Sequence, residues 1–201
     1  MPAAPSPEYR GRIPFAASVA AAAFALAILL VGCGPTTPVV RAPAKPAAAE
    51  GSAEPAPLRA RLARIQDGDS FIAIGDDGRR RTIRISGIDA PERGQPFADR
   101  SRDHLRRLLA ERTLAIQPVK IDQYRRVVAK VLVIDGEQAG DAGLTQIQAG
   151  LAWYFRRYAS DLPAADRDRY AAAERTARAA GRGLWAQPRP EAPWLLRQRE
   201  H

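Results

Sequence analysis

The chain has a single cysteine, Cys33, in 201 residues, which rules out an intramolecular disulfide. Lysine is scarce as well: Lys45, Lys120 and Lys130 are the only ones among 31 cationic side chains. No internal repeat is visible, so a solenoid or an array is excluded. Large apolar residues are sparse between Gly34 and Pro57, and with the first third set aside the chain is too short for two ordinary domains. What remains, residues 58–201, is one domain large enough to bury roughly two-thirds of its unfolded surface. The formal net charge of the whole chain, +9, and its pI near 10.5 favour a polyanionic partner. Because arginine so outnumbers lysine, genome composition accounts for part of that excess, and charge gives direction rather than proof.

The N-terminus carries a more specific signal. Arg10 and Arg12 precede an apolar run from Ile13 to Val31, followed by Gly32 and Cys33. A basic stretch, an apolar stretch, small residues and then a cysteine resemble a bacterial lipoprotein signal peptide over residues 1–32, with Cys33 as the lipid acceptor. The alternative is an uncleaved membrane anchor of about 19 residues. Either reading puts the domain outside the cytoplasm, anchored to the outer or the cytoplasmic membrane, and Gly34 lacks the aspartate that resembles an inner-membrane retention signal. The Pro/Ala-rich residues 33–57 read as a tether, too poor in apolar surface to offset the entropy of ordering.

From Leu58 onward, short alternating runs with turn punctuation predict a small barrel. Five strands are expected, near Leu58 to Gln66, Ser70 to Gly75, Arg80 to Gly87, Thr113 to Val119 and Val127 to Ile134. Asp76-Asp77-Gly78 and Asp135-Gly136 supply tight turns. Three helices are expected near Phe97 to Glu111, Ala139 to Ala149 and Ala164 to Ala180, the last ending before Gly181 and Gly183. This is an α+β chain resembling a five-stranded OB-fold barrel. The tail beyond Trp185, with Pro193-Trp194, is expected to pack on the surface without a chemical role.

Acids and arginines concentrate in that β-rich part. Asp69 closes the turn Asp67-Gly68-Asp69, Asp89 and Glu92 bracket Ala90-Pro91, Arg84 lies between Ile83 and Ile85, and Arg126 follows Asp122-Gln123-Tyr124-Arg125. Singly each has a plain structural explanation: a turn, a helix cap before Pro91, solvated arginines. Together they can cut a phosphodiester with water as the nucleophile. Asp69 and Asp89 offer hard oxygen ligands suited to Ca²⁺, with Mg²⁺ or Mn²⁺ as alternatives. Glu92 is the candidate general base. Arg84 and Arg126 present permanently charged, planar donors to a phosphate. Ile83 and Ile85 facing the core would turn Arg84 the other way.

The stretches Ile65-Gln66-Asp67-Gly68-Asp69-Ser70, Ile83-Arg84-Ile85-Ser86-Gly87-Ile88-Asp89-Ala90-Pro91-Glu92 and Asp122-Gln123-Tyr124-Arg125-Arg126 resemble the successive signatures of the thermonuclease, or staphylococcal nuclease-like, family. The similarity runs from about Leu58 to Trp185 and takes in Gly150-Leu151-Ala152 and Arg182-Gly183-Leu184-Trp185. It implies that Asp69, Asp89 and the carbonyl of Ala90 bind Ca²⁺ and that Glu92 activates water. It also implies that Arg84 and Arg126 hold the phosphate, with Tyr124 and Tyr158 near the terminal phosphate or sugar. The activity so implied is cleavage of DNA and RNA with little sequence preference, leaving 3′-phosphate ends. The family usually has glycine where Arg125 stands, which predicts an altered loop backbone and a less well aimed Arg126. Trp153 and Phe155 are expected in the core.

The expected protein is therefore an exported, lipid-anchored, Ca²⁺-dependent nuclease, acting as a monomer with no protein partner called for. A non-catalytic nucleic-acid-binding barrel on the same tether is the alternative. A binding module has no need of Asp69, Asp89, Glu92, Arg84 and Arg126 together.

Overall fold

The structure is a computed structural model that describes residues 57–199. The signal peptide, the acceptor Cys33 and the tether expected from the sequence lie outside the described residues. No helix among those described is long and apolar enough to cross a membrane.

Three strands open the domain as a meander: β1 (Leu58–Ile65), β2 (Ser70–Gly75) and β3 (Arg80–Ile85). After the two-residue β4 (Ile88–Asp89) and helix α1 (Ala98–Leu109) come β5 (Thr113–Ile121) and β6 (Val127–Asp135). β1 pairs with β5 and β5 with β6, all antiparallel, while β3 and β6 pair in parallel through Ile83↔Val127, Arg84↔Val128 and Ile85↔Ala129. That last ladder closes five strands into a barrel and leaves no open edge between β3 and β6. The register shift in β5 falls between Pro118 and Lys120, where a residue without an N–H is tolerated.

Alternation along the strands sends Phe71, Ile83, Ile85, Leu114, Ile116 and Val131 inward, and α1 closes one end with Leu105 and Leu109, all essentially solvent-free. Each such side chain contributes about 1.5–3 kcal/mol by leaving water. Leu108, at helical spacing from them, is partly buried.

The segment expected to begin a helix at Ala139 first forms another strand. Gly136, at φ 60°, reverses the chain, and β7 (Gln138–Asp141) pairs back onto β6 before α2 (Ala142–Gln148) starts. Asp141 makes the change possible by ending the strand and accepting the Leu144 N–H at 3.0 Å as a cap. β8 (Trp153–Tyr154) then pairs with β4, setting Asp89 opposite Trp153. Helix α3 (Ala164–Ala179) packs against α2 and β8, burying Tyr170 and Ala177.

The tail is not featureless. It forms α4 (Pro193–Arg199), fastened by Trp194, which stacks on Phe155 with centroids 5.1 Å apart and meets Trp153 edge-on at 6.3 Å. Trp153, Leu184 and Ala192 make a small second core beneath it. A proline start and two large aromatics supply the anchoring surface, and no long apolar period announces it.

Candidate active site

A cleft of about 890 Å³ is lined by Asp69, Arg84, Asp89, Ala90, Glu92, Tyr124, Arg126 and Tyr158, all eight of the domain positions given a chemical role from the sequence. They arrive from separate elements. Asp69 ends the β1–β2 turn, Arg84 stands on β3, Asp89 on β4, Ala90 and Glu92 follow it, and Tyr124 and Arg126 come from the β5–β6 loop.

The β1–β2 turn is fastened on three sides. The Asp69 N–H donates to Asp67 Oδ1 at 3.0 Å, the Ile85 N–H donates to the Asp69 carbonyl at 2.8 Å, and Gln146 Nε2 donates to the Gly68 carbonyl at 2.6 Å. Gly68 packs so closely on α1 that an added Cβ would lie 1.9 Å from Ser101 Oγ. Only glycine lets the turn reach this position.

At the centre, Arg84 Nη2 donates to Asp89 Oδ1 at 2.9 Å and lies 3.2 Å from Asp69 Oδ2. Its Nη1 is held by the Ile85 and Ile88 carbonyls at 2.9 and 2.8 Å, which fixes the guanidinium. Ile83 and Ile85 face the core, as alternation requires, but Arg84 faces the cleft rather than open water. Asp69 also accepts from the Ala90 N–H at 2.7 Å and from Ser70 Oγ at 2.8 Å.

Burial, then the charge of Asp69, pushes the Asp89 carboxyl up to about 6 against the opposing pull of Arg84 and Arg197. The same two causes push Asp67 up to about 7. Two buried carboxylates meeting at one point and repelling each other form a place that favours a cation. Among the described residues no group of three or more His, Cys, Asp or Glu side chains is clustered for a metal. An ion here would therefore take two carboxylates, Asp69 and Asp89, with the remaining positions filled by the Ala90 carbonyl and water, a donor set that fits a hard cation.

Glu92 is held in a turn, its N–H donating to Gln95 Oε1 at 2.8 Å, and no helix starts there to be capped. On the other wall, Arg126 Nε donates to Asp122 Oδ2 at 2.7 Å and its guanidinium lies 5.3 Å from the Tyr124 ring centre. Burial acts to raise the Asp122 carboxyl, but the bonds from the Arg126 backbone and side chain leave it below the usual range. Arg125 adopts φ 61°, the left-handed conformation in which glycine is at ease. The loop therefore has a glycine-like backbone at a non-glycine residue, and Arg126 lines the cleft. Tyr124 and Tyr158 stand at the mouth, 69% and 44% exposed.

Three participants were not foreseen. Phe155, expected in the core beside Trp153, lies on the cleft wall, because the 3₁₀ segment Arg156–Asp161, kinked at Tyr158, carries the chain outward from β8. Lys120 Nζ sits 4.8 Å from the Tyr158 ring centre and pairs with Asp161. Most unexpected, Arg197 from α4 reaches both carboxylates. Its Nη2 donates to Asp89 Oδ2 at 2.7 Å and its Nη1 to Glu92 Oε1. No local spacing signals a contact spanning 108 residues of sequence.

Residues 82–187 match the staphylococcal nuclease homologue family. A protein named as an uncharacterized endonuclease from Escherichia coli is 31% identical over 147 residues, covering 72% of this chain and 88% of the relative. A micrococcal nuclease of Shigella flexneri is 33% identical over 150 residues, 71% of this chain and 82% of its own length. A probable staphylococcal-like nuclease of Oryza sativa is 35% identical over 138 residues, but only 34% of that longer protein is covered.

Proposed function

We propose that this chain, which belongs to the staphylococcal nuclease family, hydrolyses the phosphodiester bonds of DNA and RNA with little sequence preference, using Ca²⁺ and leaving 3′-phosphate ends. The observation that carries the reading is the meeting of Asp69, Asp89 and Arg84 at one buried point, with Glu92 and Arg126 on the walls of the same cleft.

In this reading Asp69, Asp89 and the Ala90 carbonyl hold the metal, whose charge offsets that of the phosphate oxygens. Glu92 accepts a proton from the attacking water. A positioned base of this kind contributes about 10² to 10⁴ in rate, so the arginines and the electrostatics of the cleft must supply the rest. Arg84, anchored through Nη1 to two carbonyls, keeps Nη2 toward the reacting centre. Arg126, about a third exposed and steadied by Asp122, meets the phosphate from the other wall. Tyr124 and Tyr158 offer apolar faces to sugar or base at the mouth, a sequence-tolerant form of contact. The chain works as a monomer, exported and held at the cell envelope through Cys33; the arginines, apolar run and cysteine of residues 10–33 support that part.

The test is cleavage of single-stranded DNA, duplex DNA and RNA with Ca²⁺, Mg²⁺, Mn²⁺ or chelator. Cleavage of every substrate with Ca²⁺ and none with chelator is expected. Tight binding without cleavage under any metal would make the chain a nucleic-acid-binding module, a second reading favoured by one observation: Arg197 already engages Asp89 and Glu92.

A further inference from the structure

Asp89 has both carboxylate oxygens engaged by arginines. Arg84 Nη2 donates to Oδ1 at 2.9 Å, and Arg197 Nη2 donates to Oδ2 at 2.7 Å, with Arg197 Nη1 a further 3.4 Å from Oδ1. The same Arg197 Nη1 donates to Glu92 Oε1. Arg84 belongs to the barrel and is fixed by backbone carbonyls, whereas Arg197 comes from the last described helix and its side chain is 38% exposed. Within α4 only Pro193 is buried. Trp194, stacked on Phe155, anchors the start of the helix three residues before Arg197, and Arg199 at its end pairs with Glu191 at 2.6 Å, so Arg197 can leave the carboxylates by turning its own side chain without undoing either contact.

A guanidinium keeps its charge at any working pH and offers no lone pair. While Arg197 spans Asp89 and Glu92 it can neither bind a cation nor take a proton from water. It also places a positive charge where a divalent ion on Asp89 would be repelled. Resting on the nuclease reading of this site, we propose that Arg197 is a tethered internal counter-cation. It neutralises Asp89 and Glu92 when the cleft is empty and withdraws when the metal binds, so that α4 sets the metal concentration at which the site becomes competent. A latch of this kind weakens the apparent affinity by the fraction of molecules in which the site is free.

Calcium titration by calorimetry on the full chain, without nucleic acid, tests this in the native protein, in Arg197→Ala and in Arg197→Lys. With a latch closed in about nine molecules of ten, Arg197→Ala binds Ca²⁺ about tenfold more tightly. Arg197→Lys, which keeps the charge but loses the fork, falls between the two. Cleavage by Arg197→Ala should then reach half its maximum at a correspondingly lower Ca²⁺ concentration, with maximal turnover not lowered. Unchanged or weaker Ca²⁺ affinity in Arg197→Ala overturns the latch and leaves the nuclease reading intact. If KM for DNA also rises several-fold, Arg197 is a third phosphate-binding arginine. If the native chain neither binds Ca²⁺ nor cleaves, the nuclease reading falls and the latch falls with it.

Discussion

Arg84 and Arg126 bear on the same cleft but are held differently, and the difference separates their effects. Arg84 pairs with two buried carboxylates and is the only ion-pair partner of Asp69 among the described residues, so its removal would leave a buried charge unbalanced and damage the fold as well as the chemistry. Arg126 pairs only with the loop acid Asp122 and is itself about a third exposed, which makes it the cleaner probe. Arg126→Ala should lower turnover by about 10² to 10³, the usual effect of losing one transition-state donor, while nucleic-acid affinity falls by less than about tenfold. Single-turnover rates set against equilibrium binding check this, and equal losses in both would remove Arg126 from the chemistry. Its neighbour gives a stability prediction. A left-handed non-glycine residue costs about 1–2 kcal/mol, part of which glycine returns through its freer unfolded chain. Arg125→Gly should therefore stabilise the domain by about 0.5–1 kcal/mol in denaturant melts, and destabilisation would mean that φ 61° is held by contacts of the arginine itself.

The elements that aim these residues are short, and their accuracy comes from what they pack on. Gln146 of α2 holds the β1–β2 turn through the Gly68 carbonyl and also donates to the Ser101 carbonyl of α1, whose own position depends on Leu105 and Leu109 in the barrel end. Leu105→Ala should cost about 2–5 kcal/mol in chemical denaturation, the range for a fully buried leucine. A loss well below that would show that the barrel end collapses around the gap. The barrel strands were legible because β1, β2, β3, β5 and β6 alternate inward and outward residues between turns rich in Asp and Gly. β7 was not, because Gln138-Ala139-Gly140-Asp141 has no β-branched residue and is a strand only by virtue of the β6 edge beside it. The acids and arginines of the site were legible because they stand in local motifs. Phe155, Trp194 and Arg197 were not, since what defines them is packing between the tail and the β8 region, far apart in sequence.

On the scale of the whole molecule, a chain with net charge +9 carries the candidate acids Asp69, Asp89 and Glu92 inside a field that attracts nucleic acid. The carboxylates at the centre of the cleft, paired with Arg84 and Arg197, then sit in surroundings that do not repel a polyanion. If Cys33 bears the lipid, Cys33→Ser should move the protein from the membrane fraction to the soluble fraction and abolish fatty-acid labelling. Retention in the membrane without labelling would point instead to Ile13 to Val31 as an uncleaved anchor. The central claim is that Glu92 takes a proton from water in a cleft built to bind a phosphodiester. The most direct measurement compares native chain and Glu92→Gln at saturating Ca²⁺, recording single-turnover cleavage and DNA affinity in parallel. A fall in rate of about 10² to 10⁴ with affinity nearly unchanged is the predicted result. A variant that cleaves at the native rate, or that loses binding as fast as cleavage, would contradict it.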